Sequence, residues 1–277
     1  MTVEELIVYG KKFIHSQHAK MLLADLLELN PLELLNFLDM KVEDNIITEY
    51  KKRIDLLKGN KPIQYVIGNV NFYGNKFLVN DDVLIPRFET EELVENTIDL
   101  INKIFKDKKV KLIDLGCGTG CIGITLKKKM PDIDVTLLDI SPKALAISRK
   151  NAENLNAEVT FIENDMLEEI NEKYDIIISN PPYIKETEQI EEIVKENEPH
   201  LALYGGVDGL DCYRKILRKA PSCVNNTFLI AFEIGNTQKD DIIELAKKSF
   251  PSASIIIKKD MQDRDRMVFI YQNDQNW

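Results

Sequence analysis

Asn180-Pro181-Pro182-Tyr183 follows directly on the apolar run Tyr174-Asp175-Ile176-Ile177-Ile178-Ser179, and it gathers hydrogen-bond acceptors in one place. Each proline fixes φ and removes a backbone N–H, leaving carbonyls that point out with no competing donor, while Asn180 adds a side-chain carbonyl oxygen. A planar NH2 group presented there finds an acceptor for each hydrogen, the Asn180 side chain and the Pro181 carbonyl. Tyr183 is available to lie against a flat substrate. The β-branched run reads as a buried parallel strand, and in open α/β sheets ligands collect at the carboxyl ends of strands. A bare Pro-Pro pair would read as a turn ending a strand; the residues upstream shift that balance.

Those residues are Leu112-Ile113-Asp114-Leu115-Gly116-Cys117-Gly118-Thr119-Gly120, a strand running into a glycine loop at the mouth of a helix. Glycines there let a ligand approach the backbone, although such a loop alone is shared with dinucleotide-binding folds and loose turns. Asp139 ends the next strand, 19 residues beyond Gly120, where a carboxylate accepts ribose hydroxyls. The spacing GxGxG departs from the dinucleotide fingerprint GxGxxG. Asp114 would also repel a pyrophosphate while suiting a ligand with a cationic amino group. The combination points to S-adenosylmethionine, which carries adenosine and methionine but no phosphate. The expected cofactor-binding set is Asp114, Gly116, Cys117, Gly118, Thr119, Gly120, Asp139, Asp165, Met166 and Asn180. Asp165 would accept from the adenine amino group and Met166 pack on the ring. Taken singly, Asp139 also reads as a helix cap before Ser141-Pro142, and Asp165 as a surface turn residue.

The elements that must position these residues alternate strand and helix. Strands are expected at 111–115, 135–139, 159–163, 175–179, 228–233, 253–258 and 267–271, with helices from Cys121, from Pro142, over 209–220 and over 238–249. This βαβ series predicts an α/β, doubly wound, mostly parallel, Rossmann-like sheet. Only Lys259 to Arg266 join the last two strands, too few for a parallel crossover, so the last strand is expected to be antiparallel. Residues 1–70 carry apolar positions at helical spacing: Leu6, Ile7, Phe13 and Ile14; Met21, Leu22, Leu26 and Leu27; Leu34, Leu35 and Leu38. A small all-α domain results, with a helix start at Asn30-Pro31 and a stop at Gly59-Asn60. Either docking of a partner or structural support accounts for it. Residues 71–85 read as a bridging hairpin with a Gly-Asn turn, followed by a helix opened by Thr90 or Glu89, and 86–277 as the cofactor domain.

The formal charge of −10 and pI near 5.0 weigh against a nucleic-acid partner, since phosphate binding relies on clustered Lys and Arg. The lysine runs at Lys106 to Lys111 and Lys127 to Lys129 read as solvated charge at helix ends. The start Met1-Thr2-Val3-Glu4-Glu5 has no leader pattern and no run of about 18 apolar residues occurs, which predicts a cytoplasmic protein with no membrane contact. Cys117, Cys121, Cys212 and Cys223 lack CxxC spacing, and the three histidines are His15, His18 and His200, so free thiols and no metal are expected.

On these motifs the chain resembles the class I methyltransferases, and within them the peptide chain release factor glutamine N(5)-methyltransferases of the HemK/PrmC type. The resemblance extends to Pro62-Ile63-Gln64-Tyr65-Val66-Ile67-Gly68, to Ile85-Pro86-Arg87-Phe88-Glu89-Thr90-Glu91, and to Glu198-Pro199-His200-Leu201-Ala202-Leu203 with Gly205-Gly206-Val207-Asp208-Gly209-Leu210. Phe88 stands where a second proline is usual, and Met166 where an aromatic residue is common. The resemblance implies methyl transfer to the glutamine side chain of the Gly-Gly-Gln motif of peptide chain release factors. Asn180 and Pro181 then hold the amide N–H groups, Pro182 completes the substrate clamp and Tyr183 stacks on the amide plane. Because an amide nitrogen is a poor nucleophile, the task is orientation, with no His, Cys or Lys base. Alternative readings are an N-methyltransferase for an adenine or cytosine amino group, and a non-catalytic scaffold for translation factors.

Overall fold

The structure, a computed structural model, describes residues 1–106 and 108–273, which divide into two compact units: Met1–Asn69 with Ile190–Asn197, and Val70–Gln189 with Glu198 onward.

The first unit is helical. Helix α1 (Val3–Gly10) opens on a capping box in which Thr2 Oγ1 accepts from the Glu5 N–H and Glu5 accepts from the Thr2 N–H. Then come α2 (Ser16–Leu26), α3 (Asp44–Lys58) and α4 (Ile63–Ile67). Their core gathers Val3, Leu6, Leu22, Leu23, Tyr50 and Ile54, and Tyr50 donates its buried hydroxyl to the Ala19 carbonyl. Asn30 does act as a cap, its Oδ1 accepting from the Leu32 and Glu33 N–H groups, but the element it opens is a 3₁₀ turn over Glu33–Phe37. At three residues per turn neighbouring side chains point about 120° apart: Leu34 is buried and Leu35 exposed. Phe13, beyond the end of α1, is likewise exposed beneath the Lys58 ammonium. At the end of α3 the left-handed residue is Asn60 and not Gly59. The short helix α8 (Glu192–Asn197) belongs to this unit, with the Asn197 amide donating to the Asn60 carbonyl.

A hairpin, β1 (Asn69–Phe72) and β2 (Asn75–Leu78), leads into the second unit, and its Phe72 and Phe77 are buried in that unit's core. The turn is Tyr73-Gly74, one residue earlier than expected, and both residues have positive φ as a two-residue turn matching the strand twist requires. Tyr73 is held there by α5 (Phe88–Phe105): its N–H reaches Glu91 and its hydroxyl Glu95. Along the chain come β3 (Lys111–Leu115), α6 (Cys121–Lys129), β4 (Asp134–Asp139), α7 (Pro142–Asn154), β5 (Thr160–Glu163), β6 (Tyr174–Ser179), α9 (His200–Leu203), α10 (Asp211–Cys223), β7 (Val224–Glu233), α11 (Lys239–Ser249), β8 (Ser254–Lys259) and β9 (Asp265–Gln272). The seven-stranded sheet runs β5-β4-β3-β6-β7-β9-β8, parallel except that β9 lies antiparallel between β7 and β8. Apolar side chains pack on both faces, as parallel sheets demand. From β3 the chain winds outward through β4 and β5, then returns to lay β6 on the other side of β3. The strand order reverses there, between β3 and β6, and in open α/β sheets ligands bind outside the carboxyl ends of the strands at such a point.

Candidate active site

The reversal point is pinned by Ser179, buried at the end of β6, whose hydroxyl donates to the Leu115 carbonyl at the end of β3 at 2.6 Å. This bond aligns the two chain segments that leave the sheet, Gly116 to Gly120 and Asn180 to Tyr183.

The glycine loop is left-handed at Gly116, Gly118 and Gly120. A Cβ added at Gly118 would meet nothing within 4 Å, and one at Gly116 only Met166 Cε at 4.0 Å, so open space lies over this backbone. Gly120 differs, since a Cβ there would meet Ile124 and Leu137, which makes it a packing glycine. Cys117 and Thr119 face inward: the Cys117 N–H donates to the Leu138 carbonyl, and Thr119 Oγ1 accepts the Cys121 N–H at the start of α6. All four cysteines are free, and burial pushes the Cys121 thiol up to about 12.

Asp114 is completely buried. One carboxylate oxygen accepts the Gly123 N–H at 2.9 Å, and the other has no partner among the described residues. A bare oxygen in the interior is costly, and burial pushes this carboxyl up to about 7. Asp139 is tied down by both oxygens, to the Gly118 N–H at 2.8 Å and the Ser141 N–H at 2.9 Å. Burial raises its carboxyl as well, against those two backbone bonds. The cap of α7 is Ser141, so Asp139 is the strut between the glycine loop and β4. Asp165 pairs with Lys215 of α10 at 2.6 Å, and Met166 beside it takes a positive φ. Open space over Gly116 and Gly118 leaves room for a ligand against that backbone, and the spare Asp114 oxygen is an acceptor suited to a cationic group.

After β6, Asn180 Nδ2 donates to Thr90 Oγ1 at 3.3 Å, and Thr90 donates in turn to the buried Glu233 at 2.7 Å. Not every carbonyl of the tetrapeptide points out. The Pro182 carbonyl faces the Gly205 backbone so closely that a Cβ there would collide with it. The Tyr183 carbonyl accepts from Gln238 Nε2 at 3.0 Å and would collide in the same way with a Cβ on Gly209. The run from Gly205 to Gly209 therefore serves to let two backbones meet. Among the described residues no donor reaches the Pro181 carbonyl. Burial, with the charge of Glu233 adding, raises the Tyr183 phenol to about 12, so it is neutral at pH 7.

Several supporting residues escaped the sequence reading. Glu198 accepts from the Ile85 N–H and pairs with Arg87, joining two motifs more than a hundred residues apart. Asn151 of α7 bonds both backbone groups of Leu78 and the Thr119 carbonyl, fixing the hairpin to the loop. Thr90, read as a helix opener, spends its hydroxyl on Glu233, and α5 begins at Phe88 with no side-chain cap on Arg87. Phe88 occupies the first helical position, where proline is favoured but not required. A buried Asn inside an amphipathic helix was the one signal on show.

The chain is similar to known proteins in sequence and in fold. A family model described as Methyltransferase small domain matches residues 88–207, and one described as PrmC N-terminal domain matches 15–68. The chain is 42% identical over 213 residues to the release factor glutamine methyltransferase of Bacillus anthracis, covering 75% of each chain. It is 38% identical to that of Bacillus subtilis over 242 residues, 85% of this chain and 84% of that one. A methyltransferase from Pyrococcus furiosus shares the fold, with a TM-score of 0.54 at 16% identity over 82% of this chain and 99% of that one. With that identity sustained over most of both chains, this protein belongs to the release factor glutamine methyltransferase family.

Proposed function

We propose that this chain methylates the side-chain amide nitrogen of the glutamine in the Gly-Gly-Gln motif of peptide chain release factors, with S-adenosylmethionine as donor, in the cytoplasm where release factors work. What carries the reading is that Asp114, near the end of β3 with one oxygen unpartnered, is in register with Ile178 of the adjacent β6, two residues before the acceptor pair of Asn180 and Pro181 begins. S-adenosylmethionine supplies a methyl carbon on a cationic sulfur, so the N–C bond forms as the S–C bond breaks and one nitrogen proton is released to water. Asp114 holds the cofactor's ammonium, Asp139 offers its remaining lone pairs to the ribose, and Asp165 and Met166 border the adenine. Gly116 and Gly118 leave room for the methionine portion, and Cys117, Thr119 and Gly120 set the loop's course.

Asn180 Oδ1 and the Pro181 carbonyl accept the two amide hydrogens, turning the nitrogen toward the methyl group and offsetting the positive charge that develops on it. Tyr183 lies on the amide plane, while Pro182 fixes the turn between them. The helical unit serves as a docking platform for the protein substrate.

The test is mass spectrometry of a purified release factor incubated with this protein and isotopically labelled cofactor, alongside a DNA control. One added methyl group on the Gly-Gly-Gln glutamine is expected. Labelled DNA with an unmodified release factor would transfer the reading to the base N-methyltransferases, and failure to bind cofactor in calorimetry would leave a scaffold.

A further inference from the structure

An Asn amide presents its oxygen and nitrogen almost isosterically, so its use as an acceptor requires something to decide which end faces the substrate. Beside Asn180 that something is visible. Ser179 and Phe232 are paired in register on β6 and β7, so Asn180 and Glu233 leave the sheet side by side. Glu233 is 1% exposed, and no cation pairs with it among the described residues. Its nearest guanidinium, Arg266 on β9, is committed to Asp260 and to the Ile234 carbonyl. A carboxylate left without a cation in the interior is expensive, and an apolar residue of similar volume would stabilise the fold more.

We propose that Thr90 and Glu233 are positioning residues that fix the orientation of the Asn180 amide. Burial pushes the Glu233 carboxyl up to about 7, with the Thr90 hydrogen bond and the Arg266 charge opposing, so above that pH it is ionised, has only lone pairs, and the Thr90 hydroxyl must donate to it. Thr90 then offers Asn180 a lone pair and nothing else, so Nδ2 turns inward and Oδ1 faces out, where no protein donor reaches it among the described residues. The chain of polarity runs from carboxylate to hydroxyl to amide. Its result is a mouth made only of acceptors, suited to an NH2 group and repellent to a carboxylate. This inference rests on the function proposed above, because it assigns the acceptor end of Asn180 to the substrate amide.

The experiment compares Thr90→Val, Thr90→Ser, Glu233→Gln and the Thr90→Val/Glu233→Gln double variant. Wild-type methylation of the release factor is measured first and tests the parent reading on its own. The readouts are kcat, KM, the calorimetric Kd for cofactor, and NMR exchange of the Asn180 side-chain NH2 protons, which needs no substrate. Thr90→Val keeps the shape and removes the hydroxyl, and kcat is expected to fall about tenfold with KM and cofactor Kd within about twofold. Thr90→Ser restores kcat to within about threefold. Glu233→Gln, isosteric but able to donate to Thr90, frees that hydroxyl to turn the amide round and lowers kcat as Thr90→Val does. Because both act through one amide, the double variant is no slower than the slower single one. The Asn180 NH2 protons exchange slowly in wild type and quickly in Thr90→Val. Wild-type kcat in Thr90→Val, losses that multiply in the double variant, or unchanged NH2 exchange overturns the proposal even if wild type methylates. Slow NH2 exchange lost in Thr90→Val, with no methylation by wild type, upholds the orientation and removes the parent reading instead.

Discussion

Replacing Asp114 with asparagine should make the cofactor-free protein more stable while abolishing most of its affinity for S-adenosylmethionine. The Asp114 carboxyl stands at about 7 against the ordinary 3.8, first because of burial, with the Gly123 N–H opposing and the Asp139 charge adding. At about 1.4 kcal/mol per pH unit this displacement amounts to roughly 4 kcal/mol of penalty on the folded state. The sign comes from linkage: the unfolded group loses its proton near pH 4 and the folded one near 7. The penalty is thus absent in acid, grows across that interval and is complete above about pH 7.

Asparagine removes the charge and keeps an acceptor for the Gly123 N–H, but it puts an NH2 group where an oxygen already lacks a partner, costing about 2 kcal/mol. A net gain near 2 kcal/mol at pH 8 corresponds to a rise in Tm of about 5 °C. Cofactor affinity, deprived of the carboxylate proposed to hold the ammonium, should fall about 30- to 100-fold. Wild-type affinity should also fall about tenfold per pH unit below 7 as Asp114 takes up its proton, and this dependence should vanish in the variant. Thermal unfolding at pH 8 without ligand and calorimetry from pH 6 to 8.5 read both effects. A variant that melts lower than wild type without cofactor, or binds it equally well, would refute the assignment of Asp114 as a buried charge held for a ligand.

Asn180→Ala removes an acceptor of the proposed clamp and should lower kcat about 100-fold with cofactor Kd nearly unchanged, read by methylation and calorimetry. Gly209→Ala forces a side chain into a left-handed position (φ 77) and against the Tyr183 carbonyl, so Tm should drop by more than about 5 °C and activity with it. Glu198→Ala leaves the Ile85 N–H and the Arg87 guanidinium without their shared partner, and should cost about 2 kcal/mol in a denaturation midpoint.

Local chemistry was legible in the chain because it is written contiguously. A β-branched run, three alternating glycines and an acidic residue at the next strand end are features of one segment each, and their periods and φ demands hold in any surroundings. The doubly wound sheet and the antiparallel last strand followed from element order and from the few residues between the last two strands. That β9 inserts between β7 and β8 did not follow, because strand order is settled by which apolar faces pack best, not by connection length. The helical unit was read at the level of its stripe, yet its third segment is 3₁₀ and turns Leu35 outward, a local choice decided by packing.

In the tetrapeptide the sequence determined which groups are present: acceptors in plenty, donors scarce, and a tyrosine beside them. Tertiary structure decided how those groups are used. It turned the Pro182 and Tyr183 carbonyls onto the glycines at 205 and 209 and onto Gln238. It also set Thr90 and Glu233 behind Asn180 and buried Asp114 with an oxygen to spare. Composition and spacing fix what a side chain can donate or accept. Which of its atoms is left free depends on partners brought from elsewhere in the chain, as Thr90 is to Asn180 and Gln238 to Tyr183, and only the folded chain supplies them.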